Sequence, residues 1–170
     1  MKSRFFGDPD RRGRKGPRTE GEYGIMKILL INGPNMGRLG KREPEIYGKR
    51  TLAEIVSDLR EHAAARGVEL VDCQSDIEGE LVQRIGRAQD EGFAGIIINP
   101  GAYTHTSVAL RDALAAACVP AVEVHLSNVS GREEFRKVLI TTPVCRGMIC
   151  GLGEAGYTLA LDAFCGGAVR

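Results

Sequence analysis

The sequence predicts a doubly wound α/β domain, with a five-stranded parallel sheet in the order 2-1-3-4-5 and helices on both faces. Three observations carry that prediction. Five short apolar runs recur along the chain, and their near-continuous Ile, Leu and Val suit strands covered on both sides. Longer amphipathic stretches alternate with these runs, as βαβ units require. The chain has 170 residues and 43% hydrophobic content, within the usual range for one domain that buries its own core.

Taken in order, the strands are expected at residues 27–32, 68–73, 94–99, 121–125 and 144–150. The helices are expected at 52–66, 77–90, 107–117, 132–138 and 155–164. Three helix starts carry the reciprocal Ser/Thr-x-x-Glu capping box: Thr51 with Glu54, Ser75 with Glu78, and Ser130 with Glu133. No internal repeat appears. Helices on both faces of such a sheet make a flavodoxin-like three-layer sandwich, and the domain is expected to span residues 26–170.

Residues 1–25 read differently. They cluster Arg11, Arg12, Arg14, Lys15 and Arg18 without apolar periodicity, so a disordered basic extension is expected. Seven basic and four acidic residues fall within 1–24, leaving the remainder slightly acidic. The stretch has neither the apolar core of a secretory signal nor the Ser-rich, acid-poor character of a transit peptide. A solvated tail fits better than a nucleic-acid arm, because aromatics hardly punctuate the charges. Met26 opens the first strand directly and is a candidate start.

Composition excludes several classes. Net charge is +1, so no overall field draws the chain to nucleic acid or an anionic membrane. The five cysteines form no CxxC pair, and Cys145 and Cys150 lie in or beside an apolar run; a reducing, cytoplasmic compartment is expected. The apolar runs fall far short of the roughly 20 residues of a membrane-spanning helix.

Open parallel sheets bind ligands beyond the carboxyl ends of their strands, where the winding reverses. There the chain offers Asn32-Gly33-Pro34-Asn35 after strand one, Asn99 to His105 after strand three, and Glu123-Val124-His125-Leu126-Ser127-Asn128 at the end of strand four. Alone, His105 could cap the third helix and His125 could be a satisfied strand-end residue; two of three histidines at one crevice favour a site. The long loop 33–50 carries Arg38, Arg42, Glu43 and Tyr47 between glycines and reads as a mobile lid. It contains neither GxGxxG nor a Walker pattern, and no HxxxH or cysteine pair supports a metal site.

These residues resemble the type II 3-dehydroquinate dehydratases. The resemblance rests on Asn32 to Asn35, Leu39-Gly40-Lys41-Arg42-Glu43-Pro44-Glu45-Ile46-Tyr47-Gly48, Gln74-Ser75 with Glu78-Gly79-Glu80-Leu81, Asn99 to Ser107, Glu123 to Asn128, Arg132 to Arg136 and Gly151-Leu152-Gly153. Two stretches depart from the family pattern: Ser130-Gly131 stands where His-Ala is common, and Val138-Leu139-Ile140 replaces a more polar stretch.

The resemblance implies a hydro-lyase that converts 3-dehydroquinate to 3-dehydroshikimate through an enolate, in the shikimate pathway of aromatic amino acid biosynthesis or in quinate breakdown. It implies Tyr47 as base, Arg42 as its activator and His125 as acid, with Glu123 holding the imidazole tautomer. Asn35 would stabilise the enolate, directly or through a bound water. Asn99, His105, Arg132 and Arg136 would bind substrate, with its carboxylate on the amides of Leu126 and Ser127. No metal or organic cofactor is implied. A dodecamer of four trimers is, with Asp112 approaching a neighbour's site. The competing readings are a non-catalytic flavodoxin-like module that binds small anions in the same crevice, and a nucleic-acid binder acting through the tail.

Overall fold

The computed structural model describes residues 25–40 and 49–169. The basic extension up to residue 24, and the loop residues Arg42, Glu43 and Tyr47, lie outside them. The main elements are β1 (Met26–Asn32), α1 (Leu52–Ala64), β2 (Val68–Gln74), α2 (Glu78–Gly86), β3 (Gly95–Asn99), α3 (Val108–Ala116), β4 (Ala121–His125), β5 (Gly147–Cys150) and α4 (Ala155–Cys165). The strands form one parallel sheet in the order β2-β1-β3-β4-β5, as the alternating pattern predicts.

Strand alternation divides the core in two. Ile28, Leu30, Ile97, Val122 and Val124 pack on α1 and α4 on one face. Leu29, Ile31, Ile96 and Ile98 pack on α2 and α3 on the other. The central strands β1 and β3 thus bury both faces, which is why their sequences are continuous apolar runs and not alternating ones.

Local sequence explains where elements start. Thr51 and Glu54 form the expected capping box: the hydroxyl accepts from the Glu54 amide at 3.3 Å and the Glu54 carboxylate from the Thr51 amide at 2.8 Å. The other two boxes do not form. Helix α2 begins at Glu78, so Glu78 is its first residue; the Ser75 hydroxyl instead accepts from the Ile77 amide and donates to Glu80. The helix expected at 132–138 is replaced by a 3-10 turn, Glu134–Lys137, and another such turn, Val129–Gly131, precedes it. The Glu134–Lys137 turn has no buried residue, and Phe135 and Val138 are exposed, so no apolar face offsets the unfavourable nucleation of a helix. The last strand is also shorter than expected, because Thr142–Val144 forms a 3-10 turn held by Pro143.

The sheet registers Asn32 beside both Gln74 and Asn99. The chain leaves β1 at Gly33, whose amide donates to the Asn99 carbonyl at 2.8 Å. A Cβ at Gly33 would lie 2.6 Å from the Pro100 carbonyl oxygen, so only glycine permits this approach of two strand ends. Gly33→Ala is expected to destabilise the protein by about 1–3 kcal/mol, because backbone must move to admit the methyl group. An unchanged urea midpoint would contradict that close approach.

Candidate active site

Segments leaving β1, β3 and β4 line a cavity of about 200 Å³ whose polar walls include Asn35, Asn99, His105, His125, Arg132 and Arg136. Leu126 and Ser127 border it as well. Arg42 and Tyr47 lie outside the described residues. Asp112 does not line this cavity; it is exposed on α3 and pairs with Arg111 at 2.9 Å.

Strand β4 supplies the central pair. Residues two apart on a strand share a face, so Glu123 and His125 project together. His125 Nε2–H donates to Glu123 Oε1 at 2.6 Å, which leaves Nδ1 as the ring nitrogen not engaged by the carboxylate. Glu123 has no solvent exposure. It is satisfied by further donors: Thr104 Oγ1 to Oε1 at 2.7 Å and Thr141 Oγ1 to Oε2 at 2.8 Å. Burial pushes the Glu123 carboxyl up, yet hydrogen bonds from His125 and Thr104, the charge of His125 and the Thr141 bond outweigh it, so the group lies below the usual carboxylate range. Cys145, beside the same carboxylate, is pushed up to about 12 by burial and by Glu123, which makes it an inert thiol.

His105 is oriented differently. Its Nδ1 lies 2.8 Å from the Val138 carbonyl, which can only accept, so Nδ1 carries the proton and Nε2 is the acceptor of the neutral ring. Its ring meets Phe135 edge-on at 6.5 Å. It does not cap α3, because the Ser107 hydroxyl takes that role from the Leu110 amide at 2.8 Å.

Asn35 sits in the left-handed region at φ 68°, a conformation that Asn tolerates, and its amide donates to Asp76 Oδ1 at 2.8 Å. Asn99 is fixed by a relay. The Gly101 amide donates to its Oδ1 at 3.2 Å, so its Nδ2 donates to Tyr157 Oη at 3.0 Å, and the phenol in turn donates to Asn32 Oδ1 at 2.5 Å. Burial raises the Tyr157 phenol far above its ordinary value, so it stays a neutral donor.

Arg132 and Arg136 both reach Glu133, Arg136 Nε at 2.9 Å and Arg132 Nε at 3.4 Å. The two guanidiniums bring charged hydrogen-bond donors to this wall of the cavity, the groups that recognise carboxylates. Among the described residues, no group of three or more His, Cys, Asp or Glu could hold a metal ion, and no helix is long and apolar enough to cross a membrane.

The sequence assigns no individual role to Asp76, Thr104, Thr141, Tyr157 or Asn32, although Asn32 and Thr104 fall in the segments expected at the crevice. Thr104 was within reach, since it precedes His105 in a polar run after an apolar strand. Thr141 and Tyr157 were not, because 37 and 58 residues separate them from their partners Thr104 and Asn99.

Comparison with known proteins finds that the dehydroquinase class II family model matches residues 26–165. A relative from Thioalkalivibrio sulfidiphilus named 3-dehydroquinate dehydratase is 58% identical over 139 residues, covering 82% of this chain and 95% of its own. The crystal structure of a type II dehydroquinase from Butyrivibrio crossotus matches at a TM-score of 0.79 and 48% identity, covering 81% of this chain and 95% of the other. One from Propionibacterium acnes matches at 0.80 and 39%, covering 84% and 99%.

The buried carboxylate makes a prediction about acid stability. A carboxyl whose folded pKa lies below its unfolded value adds stability that is complete above the unfolded value and is lost as pH falls through the folded one. Glu123 is such a group, starting from an ordinary value of 4.5. The urea midpoint of the wild type should therefore fall more steeply below about pH 5 than that of Glu123→Gln, which has no proton to take up at this position. Parallel curves would contradict the assignment of Glu123 as an ionised buried group.

Proposed function

The chain belongs to the class II dehydroquinase family, and we propose that Tyr47, Arg42 and His125 carry the dehydration of 3-dehydroquinate in it. The reaction removes water from 3-dehydroquinate to give 3-dehydroshikimate, so the chain is a hydro-lyase. What supports the residue assignment is the Glu123–His125 pair opening on a cavity walled by Asn35, Asn99, His105, Arg132 and Arg136.

The chemistry has three requirements: a base for the proton beside the ketone, stabilisation of the enolate oxygen, and an acid for the departing hydroxyl. Tyr47 is the base. A free phenol titrates near 10, so an anionic base at neutral pH needs a shift of about 3 units, roughly 4 kcal/mol. Arg42, always charged and five positions away on the same loop, supplies that shift.

Asn35 holds the enolate oxygen, directly or through water. The enolate then expels the hydroxyl: the C–O bond breaks, its electron pair leaves with oxygen, and His125 delivers a proton so that water departs. Because Nε2–H is committed to Glu123, that proton comes from Nδ1 of an imidazolium paired with the carboxylate. Passage of the proton from the Tyr47 phenol back to His125 resets both groups.

His105, Asn99 and Arg136 hold substrate hydroxyl and carboxylate groups. The Leu126 and Ser127 amides and Arg132 complete anion recognition. Homo-oligomerisation to a dodecamer brings Asp112 to a neighbour's cavity; light scattering should report that mass, and a monomer would contradict it. Cytoplasmic location and a step in aromatic amino acid biosynthesis complete the proposal. Residues 1–25 form a dispensable extension.

Purified protein without added metal or nucleotide should convert 3-dehydroquinate into a conjugated enone, seen as rising near-ultraviolet absorbance. Chelator, borohydride with substrate, and deletion of residues 1–24 should each leave the rate unchanged, since the path uses neither metal nor a lysine Schiff base. No absorbance change with folded protein would favour the small-anion-binding module. Tyr47→Phe and Arg42→Ala should each lower turnover by about 10²–10⁴-fold with the fold intact, and wild-type turnover in either would show the base misassigned.

A further inference from the structure

We propose that Thr141 is a positioning residue for the dehydration: its hydroxyl holds the buried Glu123 carboxylate in the ionised, fixed state that orients His125. The proposal rests on the dehydratase reading and extends it to a segment, residues 138–141, to which neither the family motifs nor the residue chemistry gave a role.

The segment binds the site at three points. The Val138 carbonyl accepts from His105 Nδ1 at 2.8 Å, the Ile140 amide donates to the Thr104 carbonyl at 2.8 Å, and Thr141 Oγ1 donates to Glu123 Oε2 at 2.8 Å. Two of these bonds use backbone, which any side chain at 138 and 140 would provide. The apolar departure Val138-Leu139-Ile140 is therefore compatible with a functional role, and Thr141 is the position where a side chain matters.

The donor count at Glu123 shows why. Among the described residues, Oε1 receives both His125 Nε2 and Thr104 Oγ1, whereas Oε2 receives Thr141 Oγ1 and, beyond it, only Cys145 Sγ at 3.9 Å. Thr104 and Thr141 are fully buried and lie 2.8 Å apart, oxygen to oxygen. Water has no access to Glu123, so loss of the Thr141 hydroxyl leaves one carboxylate oxygen without a strong donor. The carboxylate must then bind a proton at higher pH or turn toward Thr104, and both outcomes release His125. Among the described residues, the groups facing Glu123 are His125 on β4, Thr104 after β3, and Thr141 and Cys145 before β5; His125 is the one of these that can be cationic.

The test uses Thr141→Val, which keeps the shape and removes the donor, and Thr141→Ser, which keeps the donor. The first readout needs no turnover: the NMR titration of the Glu123 carboxyl carbon, assigned with Glu123→Gln, should move to higher pH in Thr141→Val and return in Thr141→Ser. The second is kinetic. In Thr141→Val, kcat should fall about tenfold with KM within about twofold, and the acid limb of the kcat profile should move to higher pH. Combined with Glu123→Ala, Thr141→Val should cost nothing further. If Thr141→Val folds poorly, Thr104→Val removes the donor to the other oxygen and should give the same titration shift. An unmoved Glu123 titration in a folded variant, or an undiminished loss on the Glu123→Ala background, would overturn the proposal. Absence of turnover in the wild type would instead overturn the dehydratase reading, while the titration would still decide the role of Thr141.

Discussion

A carboxylate sealed from water is tolerated only when its lone pairs are answered, and Glu123 meets that condition through His125, Thr104 and Thr141. The cavity depends on that arrangement. It fixes the imidazole that lines the cavity, ties the turn after β3 to the segment before β5, and places charge at the end of a strand that is otherwise apolar. Removing one donor costs more than the hydrogen bond itself, because the remaining charge has no solvent to turn to.

The same logic of committed hydrogens runs through the rest of the site. The Gly101 amide commits Asn99 Oδ1, which commits Nδ2 to Tyr157, whose single hydrogen then goes to Asn32. Tyr157 belongs to α4, so a helix on one face of the sheet sets the amide orientation at the carboxyl end of the central strand. Asn35 is held by Asp76 and His105 by Val138, each partner coming from a different connection. Asn99, His105 and His125 are thereby held by Tyr157, Val138 and Glu123, none of which lines the cavity, so their orientation is set before any ligand enters.

Much of this was legible in the sequence, for identifiable reasons. Continuous apolar runs betray buried parallel strands, and the β2-β1-β3-β4-β5 order is one of the common windings that their alternation with helices takes. His105, His125, Asn35 and Asn99 stand at strand ends, where topology alone directs attention. Local pattern failed where long-range partners decide the outcome. Glu133 sits at capping-box spacing from Ser130, but the guanidiniums of Arg132 and Arg136 claim its carboxylate and a single 3-10 turn follows in place of an α-helix. Ser75 prefers Glu80 to the expected Glu78. Thr141 looks like an ordinary residue ahead of a proline, and only the folded chain brings it to Glu123.

The division of labour between a base on the 33–50 loop and an acid on β4 is the central claim, and solvent hydrogen exchange tests it most directly. In deuterated water, His125→Ala should still exchange the substrate proton beside the ketone, because the base and enolate stabilisation remain, while elimination of water stalls. Loss of exchange together with elimination would place His125 in the proton-abstraction step and contradict the account.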